Sequence, residues 1–131
     1  MKRFAPLAAT VLLLTMTGLA QAGQTIASPS IYWSSDQSSA TCTIRNVGPT
    51  QVSVQVGIFD ESGGTVPLSE DHCNGVNLAG GSACSVTATG ISTGFAYACS
   101  ATASSVKHLR GAMFLRFNSQ GAVPIRSAPL R

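Results

Sequence analysis

Apolar and polar side chains alternate with a period of two in several segments between residues 41 and 117. The clearest apolar face consists of Val52, Val54, Val56 and Ile58. The other alternating segments occupy residues 41–45, 84–89, 95–101 and 109–117. This pattern is typical of antiparallel strands with one face on a core and one in water. Helix signals are nearly absent, so the pattern predicts an all-β protein, with Phe95 among the inward residues.

Turn-forming residues separate the predicted strands. They cluster at residues 46–49, 60–64, 73–75, 80–82 and 118–121. The Gly and Asn residues in these clusters tolerate the positive φ angles of tight turns. Short strands at this spacing predict a β-sandwich or a small barrel, and we favour the antiparallel β-sandwich.

Both ends of the predicted domain are weaker in pattern. Pro124 and Pro129 predict an edge strand or a tail, because proline donates no hydrogen bond to a β-ladder. Residues 23–39 show little alternation. A first strand kinked at Pro29 is predicted there, with three apolar members, Ile26, Ile31 and Trp33.

The N-terminus combines a basic start with a short apolar run. Lys2 and Arg3 precede a nearly uncharged segment, residues 4–20, which leads into Ala20-Gln21-Ala22. A basic start, an apolar middle and a small-x-small ending predict a secretory signal peptide at residues 1–22. We therefore expect a single mature domain at residues 23–131, exported to the periplasm or the extracellular medium, with no membrane span after cleavage.

The charge balance carries little functional information once the signal segment is removed. Two of the eight Lys and Arg residues lie in that segment, so the net charge falls from +3 to about +1. No run of basic residues with interleaved aromatics is present, and nucleic-acid binding has little support.

Four cysteines lie in the predicted mature domain, at positions 42, 73, 84 and 99. Cys42 and Cys99 fall on the apolar faces of two predicted strands, and a bridge between them would join two facing sheets. Cys73 and Cys84 flank a Gly-rich segment and would close it locally. Export implies an oxidising compartment, so we predict the disulfides Cys42–Cys99 and Cys73–Cys84.

Two alternatives to this pairing remain. One is Cys42–Cys73 with Cys84–Cys99, which would join neighbouring strands. The other is zinc binding, which is disfavoured because no Cys-x-x-Cys pair is present.

The sequence Tyr97-Ala98-Cys99, together with Cys42 on an earlier strand, resembles the immunoglobulin-like sandwich. The resemblance implies that Cys42 and Cys99 join the two sheets and that Tyr97 forms a corner at the start of its strand. In contrast to that family, Trp33 precedes the first cysteine instead of following it.

The wider layout is similar to that of small uncharacterised exported bacterial proteins. It comprises Cys42-Thr43-Ile44-Arg45-Asn46, Asp60 before Gly63, Gly80-Gly81 before Cys84, Tyr97-Ala98-Cys99 and Arg110-Gly111. This resemblance implies a fold and a compartment, and it supplies no catalytic residue.

Candidate chemistry is sparse. The histidines are His72 and His108, and serines in polar loops are ordinarily loop residues, so a Ser-His-Asp triad has little support. Glu70-Asp71-His72 would make at most a weak metal site, and a solvated loop beside a disulfide explains it better. Asp60-Glu61 lacks the alternating oxygen ligands of a calcium loop, and a hairpin turn explains it better. We predict no catalytic residue, no metal site and no cofactor.

A possible contact face lies on the last long strand. Alternation places His108, Arg110 and Arg116 on its outer side, with Phe114 between the arginines. Aromatic and arginine side chains are enriched at binding interfaces. An anionic partner, a glycan or an envelope surface would suit this face, although a solvated sheet face is the simpler interpretation.

These observations favour a non-catalytic exported binding or structural module of the bacterial envelope, with an unknown ligand. One alternative is a subunit of a surface assembly joined by strand addition. Another is a small secreted enzyme or metal carrier.

Overall fold

The computed structural model describes residues 23–32, 37–92, 94–117 and 126–131, without the side chains of Gln37, Phe117, Arg126 and Ser127. The strands are β1 (Gln24–Ala27), β2 (Ile31–Tyr32), β3 (Gln37–Asn46), β4 (Val52–Asp60), β5 (Glu70–Asp71), β6 (Asn77–Leu78), β7 (Ala83–Thr89), β8 (Ala96–Ala103), β9 (Leu109–Phe117) and β10 (Arg126–Leu130). The predicted signal peptide at residues 1–22, Trp33, the turn at 118–121 and Pro124 lie outside the described residues.

Two antiparallel sheets form the described domain. Sheet A has the order β1-β8-β4-β6, and β2 also pairs with β8. Sheet B has the order β10-β9-β3-β7-β5. The inward faces of both sheets meet in one apolar core, as expected for two sheets that each bury one side. The predicted antiparallel β-sandwich is confirmed.

Alternation correctly identified most of the core. Its largest fully buried apolar side chains are Ile44, Ile58, Met113, Leu115, Val54 and Val86. The prediction for Phe95 was wrong, because this side chain is 44% exposed. Phe95 lies before β8 begins at Ala96 and follows Gly94, whose φ is +84°. The turn therefore sets its direction, and the strand's alternation does not.

The disulfides are Cys42–Cys99 and Cys73–Cys84, as predicted. Cys42 lies on β3 of sheet B and Cys99 on β8 of sheet A. Both are fully buried, and their Cα atoms are 5.9 Å apart. This bridge joins the sheets through the centre of the core. Cys73–Cys84 spans only eleven positions and ties the loop after β5 to the start of β7.

Tyr97 forms the corner that the immunoglobulin resemblance implied. Its hydroxyl donates to the carbonyl oxygen of Ser92 and accepts from the amide of Ser92, each at 3.2 Å. The ring is only 5% exposed. Tyr97 therefore holds the preceding turn against the first residues of β8, two positions before Cys99.

Strand pairing agrees with that resemblance at the centre and differs at the edges. β3 pairs with β7, and β4 pairs with β8, as the corresponding immunoglobulin strands do. In that family the last strand joins the strand of the second cysteine. Here β9 pairs with β3, and β1 lies beside β8. Compared with that family, β1 and β9 therefore lie in the opposite sheets.

The N-terminal segment is kinked around Pro29, as predicted. β1 and β2 both pair with β8, on either side of a break at residues 28–30. Within this break, Ser28 forms two hydrogen bonds with the backbone of Cys99 on β8. Its amide donates to the carbonyl oxygen of Cys99 at 2.8 Å, and its hydroxyl accepts from the Cys99 amide at 2.9 Å.

The last strand, β10, is an edge strand that contains Pro129, in agreement with the sequence pattern. It pairs with β9 on one side. Just past its end, Arg131 and Ala27 exchange two backbone hydrogen bonds of 3.2 Å. These bonds link the edge of sheet B to the edge of sheet A on this side of the sandwich.

Candidate functional site

The outer face of sheet B carries three of the predicted contact residues, Arg110, Phe114 and Arg116. Three adjacent strands, β9, β3 and β7, supply its centre. Their outward positions include Arg110, Ala112, Phe114, Arg116, Ser39, Thr41, Thr43, Arg45, Ser85, Thr87 and Thr89. The face is thus rich in hydroxyl groups and carries three arginines.

Arg45 and Arg110 lie directly opposite each other across β3 and β9. On its other side Arg45 faces Ala83 of β7, so neither register partner of Arg45 is acidic. Like charges placed directly opposite in a sheet destabilise it. Alternation in residues 41–45 predicts an outward position for Arg45, and the contact face predicted on the last long strand does not include it. Only the pairing of β3 with β9 brings it beside Arg110.

The Arg110 guanidinium folds back over the turn before β9. Its Nη1 atom donates to the carbonyl oxygens of Leu109 and Lys107, at 2.7 and 3.1 Å. Lys107 in the same turn is exposed. The two arginines and Lys107 therefore concentrate positive charge at one end of the outer face.

Phe114 and Arg116 lie further along the same face, near the opposite end of β9. Phe114 is half-buried and is in register with Thr41 of β3. Thr41 is only 8% exposed despite its outward position, and its hydroxyl lies 3.2 Å from that of Thr87. Arg116 is exposed and faces Ser39. The structure therefore places Arg110, Phe114 and Arg116 on one face.

His108 lies in the turn before β9, outside the strand. A Cβ atom added to Gly48 would lie 2.8 Å from the Cβ and Cγ atoms of His108. The carbonyl oxygen of His108 accepts a hydrogen bond from the amide of Val47 at 2.8 Å. His108 is therefore packed against the turn between β3 and β4, at the end of the sandwich where Arg45 and Arg110 lie.

Asp71 organises the loop that follows β5. Its Oδ1 atom accepts from the amides of Cys73 and Asn74, at 3.0 and 2.9 Å, and its Oδ2 atom accepts from Asn74 Nδ2 at 2.7 Å. The hydrogen bond from the Asn74 amide is the main cause that holds the pKa of Asp71 below its ordinary value of 3.8. Both carboxylate oxygens are thus engaged in shaping the loop.

Asp60 organises the turn after β4. Its Oδ1 atom accepts from the hydroxyl and amide of Ser62 and from the amide of Gly64, at 2.6, 3.0 and 2.8 Å. The Ser62 hydroxyl is the main cause that lowers the pKa of Asp60. Phe59 and Thr65 form an antiparallel bridge across this turn, as the hairpin interpretation expects.

Metal ligands are scarce in the described part of the chain. The four cysteines form the two disulfides Cys42–Cys99 and Cys73–Cys84, so none of them offers a thiolate to a metal. No group of three or more His, Cys, Asp or Glu residues with the spacing of a metal site is found among the described residues.

The free side of β4 is covered along much of its length. β6 pairs with its first two residues, and Asn74 bonds the backbone of Val56 further along. Near the end of the strand, the amide of Val66 donates to the carbonyl oxygen of Ile58 at 2.9 Å. This edge of sheet A therefore offers little free backbone to a further strand.

Over residues 23–32, 37–92, 94–117 and 126–131, the structure has no helix with the length and apolar character needed to cross a membrane.

The fold and the disulfides define this chain as a disulfide-bonded antiparallel β-sandwich. Comparison with protein-family models, with curated proteins and with solved structures finds no match to the chain.

Proposed function

We propose that this chain is a non-catalytic exported binding module that docks on an anionic partner through the outer face of sheet B. The supporting observation is the direct opposition of Arg45 and Arg110 across β3 and β9. Two like charges side by side carry a cost in the free protein. An anionic group bound between them would remove that cost.

The two disulfides support the exported part of the proposal. Disulfides indicate a non-reducing, extracytoplasmic environment. The signal-peptide pattern at residues 1–22 adds an export route, and the resemblance to small exported bacterial proteins adds the bacterial envelope. Periplasm and extracellular medium both follow from the same export signal.

The strand-addition alternative has less support. Residues 23–39 have a weak sequence pattern and could supply a strand to a neighbouring subunit. Much of the described part of this segment is already paired within the chain, as β1, β2 and the start of β3. The enzyme or metal-carrier alternative would need a reactive or ligating cluster, and the described residues hold no free cysteine and no metal-binding group of His, Cys, Asp or Glu.

Binding to immobilised heparin, a generic polyanion, tests the proposal. Residues 23–131 should bind at low ionic strength and elute as salt rises, because salt screens exposed charges. Arg45→Gln should weaken binding by about threefold to fivefold, the effect of losing an exposed ion pair. Arg45→Gln with Arg110→Gln should weaken it further.

Arg116→Gln is the matched control, because it removes the same charge from the same face. It lies six positions from Arg110, roughly 20 Å along the strand, and should have a smaller effect. Equal losses for Arg45→Gln and Arg116→Gln would show that only net charge matters. An NMR titration of the protein with heparin fragments would locate the binding surface. Chemical shift changes confined to surfaces other than the outer face of sheet B would reject the proposed face.

A further inference from the structure

A groove of about 380 Å³ lies at the end of the sandwich opposite the Arg45–Arg110 pair. Its lining comes from Asp60 and residues 65–67 around the turn after β4, and from residues 89–92, Phe95 and Tyr97 further along the chain. Its apolar and aromatic lining comprises Val66, Pro67, Ile91, Phe95 and Tyr97. This volume is at the lower end of the range that small-molecule sites occupy, about 300–1,000 Å³.

Asp60 is the only carboxylate among the described residues that line this groove, and no Lys or Arg lines it with them. Two backbone hydrogen bonds also hold Asp60 in place. The Asp60 amide donates to the Gly64 carbonyl oxygen at 2.9 Å, and the Gly63 amide donates to the Asp60 carbonyl oxygen at 3.0 Å. The groove therefore presents one fixed negative charge.

The two oxygens of the Asp60 carboxylate have different surroundings. Oδ1 accepts the three hydrogen bonds from Ser62 and Gly64. Oδ2 lies over Gly64, where an added Cβ atom would approach it to 2.7 Å. Since the three hydrogen bonds that the carboxylate accepts from Ser62 and Gly64 all go to Oδ1, they leave Oδ2 for a ligand.

Phe95 adds an aromatic face to this groove. It is 44% exposed, one of the large apolar side chains that the described surface leaves in contact with water. Tyr97 contributes the wall next to it, with its hydroxyl engaged by Ser92. Aromatic faces attract cations, and quaternary ammonium groups are bound by aromatic side chains in this way.

From the combination of volume, apolar walls, exposed aromatic ring and single fixed carboxylate, we propose that this groove binds a small alkylammonium cation. The ammonium group would lie against Asp60 Oδ2 and the Phe95 ring, and the alkyl body would cover Val66 and Ile91. This site is independent of the proposed docking face, because its charge is opposite to that of the Arg45–Arg110 pair and it lies at the other end of β4.

Choline is a suitable probe, and 3,3-dimethyl-1-butanol is its neutral isostere with carbon in place of nitrogen. In NMR titrations of the ¹⁵N-labelled protein, choline should shift the amide resonances of Ile91, Ser92 and Phe95. The neutral alcohol at the same concentration should shift them much less. Equal shifts from both probes, or choline shifts centred elsewhere on the protein, would overturn the proposal.

Two variants test the contacts separately. Asp60→Asn keeps an oxygen that can accept from Ser62 and Gly64, and it should weaken choline binding by about threefold to fivefold, the effect of losing an exposed ion pair. Phe95→Leu keeps an apolar side chain at an exposed position, and it should weaken binding by about twofold to fivefold. Retained affinity in both variants would contradict the proposal.

Glu70→Gln is the matched control for Asp60→Asn. Glu70 is an exposed carboxylate on β5 and is not among the residues of the groove. Its loss changes the net charge by the same amount and should leave choline binding unchanged. If Glu70→Gln and Asp60→Asn weakened choline binding by similar amounts, long-range charge alone would explain the change in affinity, and the proposed site would be rejected.

Discussion

The side-chain amide of Asn74 pairs with the backbone of Val56 as a neighbouring strand would. Asn74 Oδ1 accepts from the Val56 amide at 2.7 Å, and Asn74 Nδ2 donates to the Val56 carbonyl oxygen at 3.0 Å. The same Nδ2 atom donates to Asp71. A single side chain thus extends the short cover that β6 provides for β4, and it ties the loop of the Cys73–Cys84 disulfide to sheet A.

Asn74→Ala should lower the free energy of unfolding by about 1–3 kcal/mol, because it leaves both backbone groups of Val56 without their partner. Urea denaturation would measure the change. Asn77→Ala is the control, since Asn77 is exposed on β6 and should change stability by less than about 0.5 kcal/mol. Equal effects of the two substitutions would show that the pairing with Val56 adds no stability.

Tyr97→Phe should destabilise the domain by about 1–2 kcal/mol, because the Ser92 amide and carbonyl oxygen both lose a hydrogen bond while the ring stays buried. Thermal and urea denaturation would measure this loss. Tyr32→Phe provides the matched comparison, since Tyr32 is 57% exposed. If both variants melted like the parent, the corner would have no role in stability.

Replacing Cys42 and Cys99 together by alanine should cost more stability than replacing Cys73 and Cys84. In the chain-entropy model the longer loop contributes about 4 kcal/mol and the shorter about 3 kcal/mol. Loss of the first pair also leaves a cavity, because both cysteines are fully buried. Melting temperatures of the two double variants would test the order, and the reverse order would contradict it.

Stability should fall in acid partly through Asp71. Hydrogen bonds from Asn74 and Cys73 favour the ionised carboxylate, so the pKa of Asp71 is lower in the folded state than its ordinary 3.8. The stability that this group contributes is therefore complete above pH 3.8 and is lost as the pH falls through the lower folded-state pKa. Asp71→Asn removes this contribution.

The difference in unfolding free energy between the parent and Asp71→Asn should consequently be largest near neutral pH and narrow between about pH 5 and pH 2. Urea denaturation at a series of pH values would measure it. Glu70→Gln removes the neighbouring exposed carboxylate and is the matched control, with an expected change in stability of less than about 0.5 kcal/mol. A gap for Asp71→Asn that stayed constant with pH would count against the carboxylate's role.

Sequence reasoning worked where a feature depends on local phase. The inward positions of β4 and the opposite faces of β9 followed from alternation, and so did the choice of Cys42 and Cys99 as the bridge between sheets. It failed at Phe95, because the residue precedes its strand and alternation does not extend into a turn. It also left Arg45 out of the contact site, since alternation gives the face of a residue and says nothing about its neighbours on other strands.

The pattern of the sequence by itself determined which side chains point inward, because a strand's two faces alternate at every residue whatever lies beside it. It thereby determined the all-β class and favoured the cysteine pairing that the structure confirms. Only the tertiary structure decided that β9 lies beside β3, that Arg45 faces Arg110 and that Asn74 reaches Val56. These relationships join residues far apart in the chain, and they depend on which strands become neighbours when the two sheets pack together.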